Sequence, residues 1–208
     1  MMSAREVLVV PARTGRWVEN FVTRHGETEL GVAAGHLTGR AADGSTFAAR
    51  LPFAASYDGP ADPAAFAASC TPPNRWGVVL VRKGGFAIAR LRGEEIVESK
   101  VGQRHVQGRT KAGGQSQQRF SRRRDNQARA AYEAAAGHAE RILTGTLAAL
   151  VCGGDRAAVE QVLQDPRVRH LTEVRVDPWL PVPDPRRGVL EQAVVDAGSV
   201  AVTVTDPD

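Results

Sequence analysis

The residues best suited to chemistry in this 208-residue chain lie between Arg104 and Arg129, in the run R-H-V-Q-G-R-T-K-A-G-G-Q-S-Q-Q-R-F-S-R-R-R-D-N-Q-A-R. Arg104, Arg109 and Lys111 precede Gly113-Gly114-Gln115, and Arg119, Arg122, Arg123 and Arg124 follow it. Adjacent glycines reach backbone conformations closed to residues with a Cβ and let the main chain approach a ligand closely. The arginines that follow stand where a helix should begin. Cations there oppose the helix dipole, so their retention points to bound phosphate, which Arg forks and helix amino ends both favour. Ser116 reads as the N-cap of that helix rather than a nucleophile, because no histidine is placed by the sequence to activate it.

Other chemistries have little to work with. Asp125 is the one acid in the segment, and Glu94, Glu95 and Glu98 on a turn and a strand find no evident fourth partner for a metal-dependent nuclease. The histidines His25, His36, His105, His138 and His170 never fall at metal-binding spacing, and Cys70 and Cys152 form neither a C-x-x-C pair nor a disulfide framework. No metal or other cofactor is expected. A phosphate-binding G-x-x-x-x-G-K-[ST] loop is also missing.

Charge placement singles out the same segment. The chain carries 27 Lys and Arg against 23 Asp and Glu, or +4. Residues 100–130 hold nine basic residues against one acid, or +8, while the other 177 residues hold 18 basic and 22 acidic groups, or −4. A mildly acidic body with one cationic segment implies a polyanionic partner. No stretch approaches the roughly 18 to 20 apolar residues of a membrane span, and Pro11 and Arg13 interrupt any secretory pattern, so a cytoplasmic protein without a membrane partner is expected.

The surrounding pattern predicts an α/β fold. Residues 1–70 read as a small α+β unit and linker: a strand at Glu6 to Val10, a helix from Thr14 to His25 with Trp17 and Phe21 inward, and strands at Leu30–Leu37 and Ser45–Phe53 around Ala42-Asp43-Gly44-Ser45. The Pro- and Ala-rich stretch Tyr57 to Pro73 suits a linker with a short helix near Ala64 to Cys70. Residues 71–208 open with three strands, Trp76–Arg82, Phe86–Arg92 and Glu95–Gln103. A long helix, Ser116 to Thr144, follows with an inner stripe of Phe120, Ala128, Ala131, Ala135, Ala139 and Ile142. Then come a strand at Leu147–Cys152, a helix capped by Asp155, a strand at Leu171–Val176, a helix at Arg187–Ala197 and a strand at Val200–Val204. Three meander strands followed by helix, strand, helix, strand is the order of a ribonuclease-H-like mixed sheet.

The run from Thr110 to Phe120, T-K-A-G-G-Q-S-Q-Q-R-F, continued by S-R-R-R and Tyr132, resembles the G-G-Q-S-x-x-R-F motif in the middle domain of archaeal and eukaryotic class I translation termination factors. The chain leaves no room for their codon-reading and carboxy-terminal domains and has no N-I-K-S-like decoding motif in its first 70 residues, so it is more similar to the Vms-like release factors, stand-alone relatives also found in actinobacteria.

That resemblance implies a peptidyl-tRNA hydrolase of ribosome-associated quality control that acts without a stop codon on stalled or split large subunits. Gly113 and Gly114 would carry the loop tip into an RNA-lined cavity, where Gln115, neutral and so no general base, would position water or stabilise the oxyanion as the ester is cleaved. Arg104, Arg109, Lys111, Arg119, Arg122, Arg123 and Arg124 would neutralise rRNA or tRNA phosphates. The partners implied are the large-subunit rRNA and peptidyl-tRNA, with a monomer off the ribosome. Cleavage of the tRNA near its 3′ end, and RNA binding without catalysis, are the alternatives the residues leave open.

Overall fold

A computed structural model describes residues 3–83, 85–103 and 115–207, with side chains described for 4–83, 85–102 and 129–207. The chain divides into two units, Met1–Pro72 with Val195–Asp208, and Pro73–Val194.

The first unit holds a five-stranded antiparallel sheet. Its strands are β1 (Ser3–Val9), β2 (Thr28–Ala33), β3 (His36–Ala41), β4 (Thr46–Arg50) and β10 (Val200–Asp206), in the order β1-β10-β4-β3-β2. The last strand, expected to complete the sheet of residues 71–208, therefore belongs here. Val200, Val202 and Val204 are buried with Phe47, Ala49 and Leu37 in one core, while Thr203 and Thr205 face the other side. Helix α1 (Thr14–His25) adds Val18 and Phe21 to that core, with Trp17 and Phe21 packed edge-on against Phe47.

Two further expectations in this unit change. The stretch Leu30–Leu37 is a hairpin, not one strand, because Ala34 and Gly35 turn the chain with φ of 49° and 77°. Two positive-φ residues make the tight turn that suits strand twist, but alanine is a rare occupant of its first position. The stretch read as a linker also joins the core. Asp62 caps the short helix α2 (Pro63–Ala68) by accepting from the Ala65 N–H at 2.7 Å, and Tyr57 and Phe66 are buried against each other.

The second unit is built on β5 (Trp76–Arg82), β6 (Gly85–Arg92), β7 (Glu95–Gln103), β8 (Ala149–Gly154) and β9 (Arg175–Leu180), in the order β7-β6-β5-β8-β9. The pairs β5–β6 and β6–β7 are antiparallel, and β5–β8 and β8–β9 are parallel. This is the mixed sheet expected of a ribonuclease-H-like order. Helices α3 (Gln115–Ile142) and α4 (Arg156–Leu163) pack Ala135, Ala139, Ile142, Val159 and Val162 on Val79, Val81, Ile88 and Leu150. Helix α5 (Arg187–Ala197) buries Leu190 and Ala193. The strand expected at Leu171–Val176 starts later, at Arg175, after a 3-10 turn over Arg169–Val174. Pro178, which cannot donate to a ladder, is accommodated because β9 is an edge strand.

The strand arrangement yields the first expected outcome. Among the described residues β1 pairs only with β10, so deleting residues 200–208 leaves β1 and β4 without their shared partner. Limited proteolysis of that variant should cut within residues 3–72 while 85–103 and 115–194 stay protected; equal protection of these segments would refute the pairing. A second outcome concerns ionisation. Burial pushes the Cys70 thiol up to about 11 and the Cys152 thiol up to about 12, from an ordinary 9.0. Tyr57 and Tyr132 are also raised, first by burial and then by nearby aspartates. The folded state keeps protons that the unfolded chain releases near pH 9, so stability should be full below that pH and fall as pH rises toward 12. The urea midpoint should be lower at pH 10 than at pH 8, and iodoacetamide at pH 7.5 should label neither thiol quickly before denaturation.

Candidate functional site

The hairpin that leads to the candidate loop is set by two strands of opposite character. Strand β6 is buried nearly throughout, whereas β7, at the edge of its sheet, exposes Glu95, Val97, Glu98 and Lys100. Arg90 ties the two together with a 3.1 Å ion pair to Glu98, and its Nε donates to the Ile142 carbonyl at 2.8 Å. The middle of β7 is thereby tied, through β6, to the carboxy-terminal end of α3. Gln103 pairs with Gly85, and the next described residue is Gln115.

Of the predicted site residues, Arg104, Arg109, Lys111, Gly113 and Gly114 lie outside the described residues. Gln115, Arg119, Arg122, Arg123 and Arg124 all belong to α3, with Gln115 its first residue. Ser116, expected as the N-cap, is thus the second residue of the helix. At 3.6 residues per turn, positions 115, 119, 122 and 123 share one side of the helix with 126, 129 and 133. Arg129 and Glu133 on that side are exposed. Position 124 falls on the opposite side, in line with Ala131, Ala135 and Ile142, which are buried. The predicted inner stripe is therefore present from Ala131 onward, and the side chains of Phe120 and Ala128 lie outside the described residues. Arg124 is separated by the helix period from the other three arginines.

Around the described part of α3 the groups are polar but not set up for acid–base catalysis. Tyr132 packs on the core, and its phenol is raised by burial and then by the charge of Asp155. His138 stands 23 residues after Gln115, ~34 Å along the helix. Burial and the cations Arg141 and Lys100 hold it below the ordinary imidazole value, and its Nδ1 is 2.8 Å from an Arg141 guanidinium nitrogen. A cleft of about 290 Å³ lies between α3 and α4, lined by Arg129, Tyr132, Glu133, Gln161, Gln164 and Asp165. Arg167 grips Asp165 with two contacts of 2.7 and 2.9 Å, and this lowers the carboxyl to about 2. Among the described residues no group of three or more His, Cys, Asp or Glu is placed to hold a metal ion. Nor is any described helix long and apolar enough to cross a membrane.

The sequence reading missed the far strand end of the same sheet. Asp155 caps α4 by accepting from the N–H groups of Ala157 and Ala158, at 3.0 and 3.4 Å. The next residue, Arg156, lies over the ring of Trp179 at 4.5 Å, and the Trp179 indole donates to the Gly154 carbonyl at 3.2 Å. Twenty-three residues separate Arg156 from Trp179, so no local pattern reports the contact. A strand end followed by an N-cap and a cation was the available signal.

Known proteins place the chain. The sequence profile described as Actinobacteria/chloroflexi VLRF1 release factor matches residues 74–203. No curated protein matches the chain. Among solved structures, the chain is similar to the archaeal translation termination factor aRF1, at 16% identity and a TM-score of 0.33, over 60% of this chain and 36% of that one. An archaeal protein aligns at 13% identity and a TM-score of 0.36, over 76% and 50%. Pelota of Archaeoglobus fulgidus aligns at 10% and 0.26, over 93% and 62%. The chain thus spans about a third of the termination factor's length. The family profile covers well over half of the chain, including the whole mixed sheet, both helices packed on its core and the Gly113-Gly114-Gln115 run. The chain belongs to the actinobacteria/chloroflexi VLRF1 release factor family.

Proposed function

We propose that this protein hydrolyses the ester of peptidyl-tRNA on stalled or split large ribosomal subunits, with Gln115 at the reacting centre and without a stop codon. One observation carries the reading: in a release factor family member, Gly113-Gly114-Gln115 falls where β7 has ended and the 28-residue helix α3 begins. Gln115 is the first residue of α3, and sites supported by regular elements hold geometry better than free ones.

The chemistry asked of the protein is limited. Ester hydrolysis needs a positioned water and donors aimed at the developing oxyanion, and a neutral amide supplies both without changing protonation. Gly113 and Gly114 supply close approach of the backbone. Arg119, Arg122 and Arg123, on one side of α3, and Arg104, Arg109 and Lys111 before the tip take the phosphates of rRNA or tRNA, giving position without sequence preference. Ribosomal RNA completes the site, so the chain need not contain a base or a metal.

Single-turnover release from purified stalled large subunits tests the reading. Gln115→Ala should lower the release rate by roughly 10² or more, the scale of losing one preorganised donor, while subunit binding stays near the unsubstituted value. An unchanged rate would remove Gln115 from the mechanism, and a tRNA product shortened at its 3′ end would replace ester hydrolysis with nuclease cleavage. Gly113→Ala and Gly114→Ala should each slow release with binding retained; normal rates in both would refute the need for a residue without a Cβ.

A further inference from the structure

We propose that the edge of the second sheet from which β7 departs is also a phosphate-binding surface, where Arg156, stacked on Trp179, and Lys83 hold the sugar–phosphate backbone of structured RNA. This rests on the preceding reading for the particle that carries the RNA.

Sheet register assembles the surface. Gln103 pairs with Gly85, Gly85 with Arg82, Val81 with Gly154, and Gly153 with Leu180. The ends of β5, β7, β8 and β9 therefore lie along one edge, with β7 and β9 four strand spacings or ~19 Å apart. Lys83 follows β5 and Arg156 follows β8, so these two cations leave neighbouring strand ends, and both are exposed. The cationic segment of residues 100–130 leaves the same edge through Gln103.

Arg156 is built into the fold but not neutralised by it. Gly154 has φ of +94°, and a Cβ there would lie 2.3 Å from the Val81 carbonyl, so the corner between β8 and α4 is closed to other residues. The Gly154 carbonyl accepts from Trp179, and Trp179, partly buried on the core, carries the Arg156 guanidinium on its ring. Asp155, the adjacent acid, is engaged with two helix N–H groups. Among the described residues Arg156 forms no ion pair, whereas Arg82 at the same edge is held by Asp184 at 3.6 Å and donates to the Val182 carbonyl at 2.9 Å. A guanidinium held over an indole loses little further freedom on binding and keeps N–H donors for an anion. Phosphate oxygens match those donors. The edge offers cations and an aromatic already covered by Arg156, which favours RNA backbone over a protein partner that would need an apolar anchor.

Binding of the full chain to vacant large ribosomal subunits and, separately, to free tRNA tests the surface across a salt series. Arg156→Gln and Lys83→Gln should each weaken binding about five-fold and reduce the slope of log affinity against log salt by about one; the double variant should show both losses. Arg156→Lys should keep the slope and lose part of the affinity. Arg169→Gln, an exposed cation in the turn before β9, should change neither. A loss confined to subunits assigns the contact to rRNA, and one confined to tRNA assigns it to tRNA. Binding by the double variant with unchanged affinity and slope overturns the proposal. Weaker binding with an unchanged slope also overturns it, since no phosphate has then been released. Should the unsubstituted chain release no peptide, the hydrolysis reading fails while the binding comparison still decides this one.

Discussion

Strand β5 is the constraint on which the second unit depends. Every residue from Trp76 to Val81 is buried, so the strand contacts apolar layers on both faces and cannot slip by one position without exchanging those layers. It pairs antiparallel with β6 and parallel with β8. A parallel partner obliges the chain to leave the far edge of the sheet and return, and α3 is that return. The helix is ~42 Å long and β5 ~23 Å, so the return is much longer than the strand it runs beside. Buried α3 side chains begin at Ala131 among those described. The extra turns are the ones that carry Gln115 and the arginines.

Charge is partitioned by the same architecture. The acidic body uses its carboxylates locally: Glu98 on Arg90, Asp165 and Glu140 on Arg167, Glu160 on Arg175, Glu191 on Arg187, and Glu6 on Arg50. These pairs are mostly exposed, and each contributes little to stability. Their effect is on the field, since they cancel the cations of the body at short range. Residues 100–130 have only Asp125 as an internal counterion. The cationic excess of the chain is therefore concentrated in residues 100–130.

Much of this was legible in the sequence because it depends on local signals. The meander β5–β7 announced itself through short apolar runs broken at Lys83-Gly84-Gly85 and Arg92-Gly93-Glu94, and α4 through Asp155 as its cap. The inner stripe of α3 followed from its period. What failed was non-local or chemically atypical. Val200 to Val204 alternates like any half-buried strand, and nothing within it names the sheet it joins. The Ala34-Gly35 turn lacks the Asn or Asp that usually marks such hairpins. Tyr57 and Phe66 sit in a Pro- and Ala-rich stretch whose composition hides two buried aromatics. For the candidate site, the motif and its basic flanks were readable, whereas the stacking of Arg156 on Trp179 needed the fold to bring two distant residues together.

The place of β10 in the first sheet has a consequence for the order of events during synthesis. Residues 73–194 are contiguous, and every strand of their sheet has been made before residue 195 emerges. The first sheet has no such advantage, for β1 precedes its other strands in the chain and β10, its partner among the described residues, follows them all. Until then β1 and the β4 edge present unpaired backbone donors and acceptors, the condition under which strands join foreign partners. Strand β10, made after the other described strands of its sheet, is the one that lets β1 join them.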